Sequence, residues 1–155
     1  MSSNTTYYYY AQSVGASGSS SINSNTIQVT TYADQAVADF RTKASGAFTD
    51  ANIWEYNYDG TNYIAATVAP GSSNNIMVRS IDSVYIDSDV QVGAGKSFVV
   101  NGVAEGNTRN IFGSGTFTLS PAATFYCGSP SGLTTGNITT TTKNLSDSAN
   151  YVFNG

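Results

Sequence analysis

The chain has 155 residues and a formal net charge of −4, and nearly half of it is Ser, Thr, Asn and Gly (21, 19, 15 and 15 residues). It contains no histidine, which excludes the usual nucleophile–base pairs and the common zinc sites. Its six basic residues are scattered along the sequence, which argues against direct binding of nucleic acid, because backbone phosphates require a positive stripe.

Residues 1–26 are predicted to form a flexible N-terminal arm. Four consecutive tyrosines, Tyr7, Tyr8, Tyr9 and Tyr10, precede a Gly/Ser-rich stretch of linker composition. The first ten residues have neither the basic nor the apolar region of a secretory signal, so synthesis in the cytoplasm without export is expected. The tyrosines indicate either a disordered tag or an anchor on a neighbouring subunit. We favour the anchor, because tyrosine supplies a large contact area with few rotatable bonds.

Residues 27–81 are expected to contain a short strand, one helix and a hairpin. Thr31 is a possible N-cap, apolar residues then follow at helical spacing, and Gly46 is placed to end the helix. Asp59 and Gly60 lie between two alternating runs, which predicts a tight hairpin turn.

Aromatic side chains alternate along the first strand of that hairpin. Trp54, Tyr56 and Tyr58 share one face, because alternate residues of a strand point to the same side. The face suits a carbohydrate-stacking surface, a core face or a subunit interface, and the last two are favoured. These three residues join the four tyrosines of the arm as candidate partner-binding residues.

Residues 82–136 contain two similar strand–turn–strand units. Residues 90–92 and 98–100 have counterparts 27 residues later, at 117–119 and 125–127. Each unit has alternating apolar residues around a five-residue turn, which indicates duplicated β-units. Two stacked units bury little core, so we expect several chains to combine around an axis.

Residues 137–155 form a C-terminal tail that ends in the apolar triplet Tyr151, Val152 and Phe153, followed by Asn and Gly. Such a triplet is expected to add to an exposed sheet edge, in the same chain or in a neighbouring one. Tyr151 and Phe153 complete the candidate partner-binding residues.

Few residues suggest a catalytic or ligand-binding role. Asp82, Asp87 and Asp89 are possible calcium ligands or glycosidase acids, but we expect solvated acids beside an edge strand. Cys127, the single cysteine, is expected to be buried and inert, with an intermolecular bridge or a reactive thiol as the alternative. Residues 93–97 predict a hairpin turn rather than a phosphate-binding loop. We therefore predict no catalytic residue, no cofactor and no metal.

One segment carries a family resemblance. Residues 89–102 read Asp-Val-Gln-Val-Gly-Ala-Gly-Lys-Ser-Phe-Val-Val-Asn-Gly. This segment resembles a pattern common in tailed-bacteriophage fibre, spike and capsid-decoration proteins. The resemblance implies homotrimers, attachment to a capsid or tail, and no catalytic residues. Residues 27–81 depart from it, since they predict a compact unit and not an extended fibre.

We thus expect a mainly β protein with one short α-helix, an arm at 1–26 and a single β-rich domain at 27–155. Its C-terminal region is expected to be a β-sandwich or a short solenoid, assembled as a homotrimer. The functional hypothesis is a capsid decoration (cement) protein of a virion, with copies of itself and the major capsid or tail protein as partners. Nucleic acid and membrane are not expected partners. The alternatives are a phage fibre module that binds surface glycans and a non-viral extracellular filament subunit.

Overall fold

The computed structural model describes residues 2, 5–18 and 20–154, and this part of the chain is mainly β. The strands in chain order are β1 (Thr6–Tyr9), β2 (Ile27–Thr30), β3 (Phe40–Thr42), β4 (Gly46–Ala47), β5 (Trp54–Asn57), β6 (Tyr63–Ala65), β7 (Ile76–Val78), β8 (Ser83–Tyr85), β9 (Val90–Gln91), β10 (Ser97–Val100), β11 (Val103–Asn107), β12 (Ile111–Leu119), β13 (Thr124–Cys127), β14 (Ile138–Leu145) and β15 (Asn150–Phe153).

Parallel pairing organises the strands from β3 onward into a solenoid. One parallel stack runs β3–β7–β10–β12–β14, and a second runs β4–β8–β11–β13–β15. Each coil of the chain therefore gives one strand to each stack, and β9 adds a further pairing with the start of β12. The prediction of a mainly β chain with a solenoid-like region is confirmed. The solenoid begins at β3, well before the predicted region of duplicated units.

Alternating apolar residues produce this core, because successive residues of a strand point to opposite faces. The ring of Phe117 meets the ring of Phe98 at 5.7 Å and the ring of Phe125 at 5.9 Å, both edge to face. All three rings are fully buried. Such aromatic pairs contribute about 0.5–1.5 kcal/mol beyond the area they bury.

The register of the coils differs from the predicted 27-residue duplication. That alignment matched Phe98 with Phe125, whereas Phe98 lies beside Phe117, and Phe125 lies beside Ala104. Alternation has a period of two, so it satisfies several alignments equally well. The corner turns, whose lengths vary from coil to coil, decide between those alignments.

The predicted α-helix after Thr31 is not formed, and the prediction is wrong at that place. Asp34 closes a single turn, where its carbonyl accepts from the backbone N–H of Val37 and of Ala38 at 3.1 Å, and the chain then enters β3. Pairing of β3 with β5 and β7 outweighs the helical spacing. The described helical segments are a 3-10 turn at Ala51–Ile53 and a π-helical turn at Leu133–Asn137.

The predicted hairpin is confirmed as β5 and β6, which pair antiparallel. Asp59 shapes its turn by accepting hydrogen bonds from the backbone N–H groups of Thr61, at 2.9 Å, and Asn62, at 2.6 Å. Gly60 has a φ of 91°, a conformation that glycine adopts without steric cost.

The two ends of the solenoid differ. At the first coil, β5 covers the outer edge of β3, whereas β4 has a strand neighbour on one side only in the described part of the chain. At the last coil, β14 and β15 have a strand neighbour on one side only, among the residues described. Phe153 is 67% exposed, whereas Cys127 beside it, one coil earlier, is 2% exposed. The last coil thus presents inward-facing positions to solvent, and we call it the open end.

Candidate interaction surfaces

The N-terminal tyrosines lie on one strand of a two-stranded hairpin. β1 pairs antiparallel with β2, which places Tyr7 opposite Val29 and Tyr9 opposite Ile27. The rings of Tyr7 and Tyr9 stack with their centroids 6.4 Å apart. Ile27 and Val29 are 59% and 42% exposed. These four side chains form one apolar surface, which we call the tyrosine face.

The other two tyrosines of the arm, Tyr8 and Tyr10, are also exposed. Tyr8 lies opposite Gln28, on the reverse side of the hairpin. The buried core of the described chain contains no side chain from β1 or β2. The fold of the solenoid therefore does not use these tyrosines, and their role as an anchor stays a prediction.

The aromatic residues of the β5–β6 hairpin have a different environment. Trp54 is fully buried and donates its indole N–H to the carbonyl of Phe48 at 2.8 Å, and the two rings meet edge to face. Tyr56 is buried too, and burial raises the pKa of its phenol, with a smaller contribution from Tyr32. Tyr58 is half-buried against the core. These side chains belong to a core face, the first of the two favoured alternatives.

Asp82 is not a solvated acid beside an edge strand, as had been expected. It is 6% exposed, and it accepts hydrogen bonds from the hydroxyl of Thr42 at 2.5 Å and from the guanidinium of Arg79 at 2.9 Å. The adjacent strand β8 lies between β4 and β11. The buried carboxylate thus pairs with the partly exposed Arg79 three residues before it, and its hydrogen bond from Thr42 ties β3 to the following coil.

Asp87 and Asp89 serve separate loops. Asp87 accepts from the backbone N–H and the hydroxyl of Thr49, and Asp89 accepts from the backbone N–H of Asn110 at 3.0 Å. The three predicted aspartates therefore do not converge on one point. The described residues contain no group of three or more His, Cys, Asp or Glu side chains that could hold a metal ion.

Two smaller predictions concern Cys127 and residues 93–97. Cys127 is buried in β13, as the favoured alternative required. Residues 93–97 do contain a turn, in which the backbone N–H of Lys96 donates to the carbonyl of Gly93 at 3.0 Å. The turn is not a hairpin, because β9 and β10, which it joins, both run parallel to β12.

The C-terminal triplet adds to a sheet edge of its own chain. Tyr151 lies beside Phe125 and Phe153 beside Cys127, in parallel register with β13. The phenol of Tyr151 donates to the carbonyl of Ser146 at 2.8 Å, which closes the last corner. Phe153 remains exposed at the open end.

The sequence reasoning missed one outward-facing row of side chains on the solenoid, in which Tyr85 is exposed and the other two residues are half-buried. Tyr85 of β8 lies beside Glu105 of β11, and Glu105 lies beside Tyr126 of β13. All three point outward, since the preceding residue of each strand is buried. We call this the Tyr–Glu–Tyr row. Alternation within each strand predicts that these residues point outward, but only the register brings them into one row, and the 27-residue alignment placed Tyr126 beside Val99 instead of Glu105.

No protein-family model, curated protein or solved structure matches the chain in comparisons with known proteins. In the part of the chain that the structure describes, no helix has the length and apolar character needed to cross a membrane.

Proposed function

We propose that the chain is a structural virion protein, a capsid decoration (cement) protein that binds repeated sites on a phage shell as a homotrimer. The observation that supports this most directly is the tyrosine face, an apolar surface on a hairpin that contributes nothing to the buried core. The resemblance of residues 89–102 to tailed-phage structural proteins supplies the class of particle.

The energetics of a short hairpin favour a partner for the tyrosine face. A two-stranded sheet is at best marginally stable in water, and it needs a further surface to cover its apolar side. Covering Ile27, Val29 and the rings of Tyr7 and Tyr9 would stabilise a complex by about 25 cal/mol per Å² of apolar area. Tyrosine also suits the solvated edge of an interface, because its ring can be buried while its hydroxyl forms hydrogen bonds with water.

A shell presents the same binding site many times, which suits a small attachment surface. One hairpin buries little area, and its affinity for one site is correspondingly modest. An oligomer that engages several sites at once gains affinity without new contacts, through the high effective concentration of its linked copies. Because this gain in affinity requires several copies and several sites, we propose that the hairpin acts in an oligomer that binds a repeated surface.

The open end supports the oligomeric part of the proposal. Unpaired strand edges pair readily with other chains, and β14 and β15 each have such an edge among the described residues. The exposed ring of Phe153 and the half-buried side chains of Leu145 and Tyr151 accompany these edges. Few charges oppose association there, since Lys143 is the only charged residue of the two strands.

The proposal is tested with shells of the phage that encodes the chain, prepared without this protein. Full-length protein, a variant lacking residues 1–10, and the double variant Tyr7→Ser/Tyr9→Ser are each incubated with the shells and sedimented. We expect the full-length protein to saturate the shells and both variants to remain unbound while staying folded. Tyr85→Ser, which removes an exposed tyrosine from the solenoid, is the matched control and should bind normally. Full occupancy by the truncated variant would refute the anchor.

A further inference from the structure

We infer that two copies of the chain join through β15, the last strand of the second stack, in antiparallel pairing about a two-fold axis at Val152. This contact goes beyond shell attachment, and it is separate from the tyrosine face. It joins single copies in pairs or, in the proposed homotrimer, one trimer to another, because a two-fold contact uses the same surface on both partners.

The two strands of the open end differ in how their free edges are protected against pairing. Lys143 of β14 lies beside the fully buried Phe117 and therefore occupies an inward position, where its ammonium donates to the carbonyl of Thr140 at 2.8 Å. The register of β14 also breaks between its pairings with Gly113 and Thr116. Inward-pointing charges and bulges are devices that protect edge strands from pairing. β15 has neither, since it contains no charged residue and its register with β13 is unbroken.

The backbone of β15 directs a defined set of groups to its free edge. The N–H of Asn150 donates at 2.8 Å, and that of Asn154 at 3.0 Å, to carbonyls of the preceding coil. Consecutive residues of a strand direct their N–H and C=O groups to opposite sides. The backbone groups of Tyr151 and Phe153 therefore face the open edge, where a further strand can bind them.

Antiparallel pairing about Val152 uses these groups and also matches the side chains. It places Tyr151 of each copy opposite Phe153 of the other, as two pairs that each exchange two backbone hydrogen bonds. Both side chains occupy inward positions, since Phe125 and Cys127 beside them are buried. Opposite residues of an antiparallel pair share a face, so the two aromatic rings meet, which stabilises a sheet. The ring of Phe153, which is 67% exposed in the single chain, is thereby covered.

The free edge of β4, at the other end of the solenoid, does not fit the open end. The first stack continues beyond β3 through β5 and β6, whereas the second stack ends at β4. The edge of β6 therefore lies about 9.6 Å beyond that of β4, at the ordinary strand spacing of about 4.8 Å. A copy stacked head to tail would meet β14 with its β6 before its β4 reached β15. Two open ends meet without this step, and their contact closes as a pair instead of continuing into a fibre.

The first test measures the mass of the full chain in solution, without shells, for Phe153→Pro and Ile81→Ser. Proline at position 153 removes the ring and an N–H that faces the open edge, and it removes no donor to β13. Ile81→Ser is the matched control, because it removes a similarly exposed apolar side chain, 79% against 67%, from the corner before β8. We expect Phe153→Pro to halve the mass of the assembly and Ile81→Ser to leave it unchanged.

The second test is a disulfide placed on the two-fold axis. Opposite residues of a non-hydrogen-bonded antiparallel pair have Cα atoms about 4.5 Å apart, within the range that a disulfide spans. Val152→Cys should therefore form a covalent dimer on mild oxidation. Asn150→Cys should not, because in this pairing position 150 lies four residues along the strand from its own copy, about 14 Å away. The native thiol of Cys127 is buried and is present in both variants.

The inference is overturned if Phe153→Pro leaves the mass unchanged, or if it lowers the mass to one third, since β15 then forms a three-fold contact. It is also overturned if Asn150→Cys crosslinks as readily as Val152→Cys, or if neither does. Circular dichroism verifies the fold of each variant, and the crosslink alone decides if Phe153→Pro does not fold. Both measurements use the protein alone, so neither depends on shell attachment, which is tested through residues 1–10.

Discussion

Replacing Phe117 with alanine removes the central ring of an aromatic stack that joins Phe98 on β10 to Phe125 on β13. The ring is fully buried and contacts Phe98 on one side and Phe125 on the other. Deleting a buried Phe side chain costs about 3–5 kcal/mol, because the transfer energy is lost and a cavity remains. The upper part of that range is expected here, since two edge-to-face contacts are lost as well. The free energy of unfolding of an ordinary domain is about 5–15 kcal/mol, so a loss of this size is a large part of it.

The assay is equilibrium unfolding in urea, with the midpoint and the slope recorded for each variant. Phe112→Ala is the matched control, because Phe112 lies on the same strand but points outward and is 37% exposed. We expect Phe112→Ala to change the free energy of unfolding by less than about 1 kcal/mol. Equal losses for the two variants would mean that β12 does not present alternate faces to core and solvent, and the reasoning would fail.

The same stack tests the register of the coils. A double-mutant cycle between Phe98→Leu and Phe117→Leu should give a coupling of about 0.5–1.5 kcal/mol, since these rings touch. The cycle between Phe98→Leu and Phe125→Leu should give less, because Phe117 lies between the two rings. Stronger coupling in the second cycle would favour the 27-residue alignment over the observed register.

Two further predictions concern single residues. Hydrogen bonds from the side chain and backbone of Asn62, and from the backbone of Thr61, lower the pKa of Asp59 below its usual 3.8. The ionised carboxylate therefore stabilises the folded state at pH values above 3.8. This stabilisation is lost as the pH falls through the lowered pKa that Asp59 has in the folded protein. In Asp59→Asn, the thermal unfolding midpoint should therefore fall less steeply at acidic pH than in the unchanged protein. An equally steep fall would contradict a stabilising role for the ionised Asp59. Gly102→Ala would bring a Cβ to 2.3 Å from the carbonyl oxygens of Arg79 and Asp82, and it should cost roughly 2–4 kcal/mol in urea unfolding. Gly71→Ala, where the nearest atom is 3.8 Å away, should stay within about 0.5 kcal/mol, and similar losses for both would contradict the close approach of the coils.

Local chemistry decided which parts of the fold could be predicted from the sequence. The β5–β6 hairpin was correct, because Asp59 and Gly60 specify a turn within a few residues. The alternating strands of the later coils were also correct as strands. The helix after Thr31 was wrong, because β3 is stabilised by partners far along the chain, whose pairing no local pattern reveals.

The sequence predicted a candidate surface only where it showed whether the side chains would be buried or exposed. The tyrosines of the arm could be singled out, since four bulky residues before a Gly/Ser stretch have nothing nearby to pack against. Trp54 and Tyr56 could not be assigned to core or surface, because alternation gives a shared face and leaves its side undetermined. The Tyr–Glu–Tyr row needed the register, as its three residues come from three different coils.

The unusual composition of the chain follows in large part from the solenoid itself. Asn and Ser or Thr side chains bond from one coil to the next: the hydroxyl of Ser120 donates to the amide oxygen of Asn101 at 2.7 Å, and Thr139 donates likewise to Asn110 at 2.8 Å. Glycines stand where the backbones of neighbouring coils approach closely, as Gly113 does, whose Cβ would meet the carbonyl oxygen of Val92 at 2.3 Å.

These residues therefore have a use inside the fold, whatever the molecule attaches to. A solenoid of any function would favour uncharged hydrogen-bonding side chains between its coils, since charged ones would repel their like in the adjacent coil. Composition consequently favours this architecture more strongly than it favours a virus particle. The attachment proposal rests instead on Tyr7, Tyr9, Ile27 and Val29, which form an apolar surface that no coil of the solenoid requires.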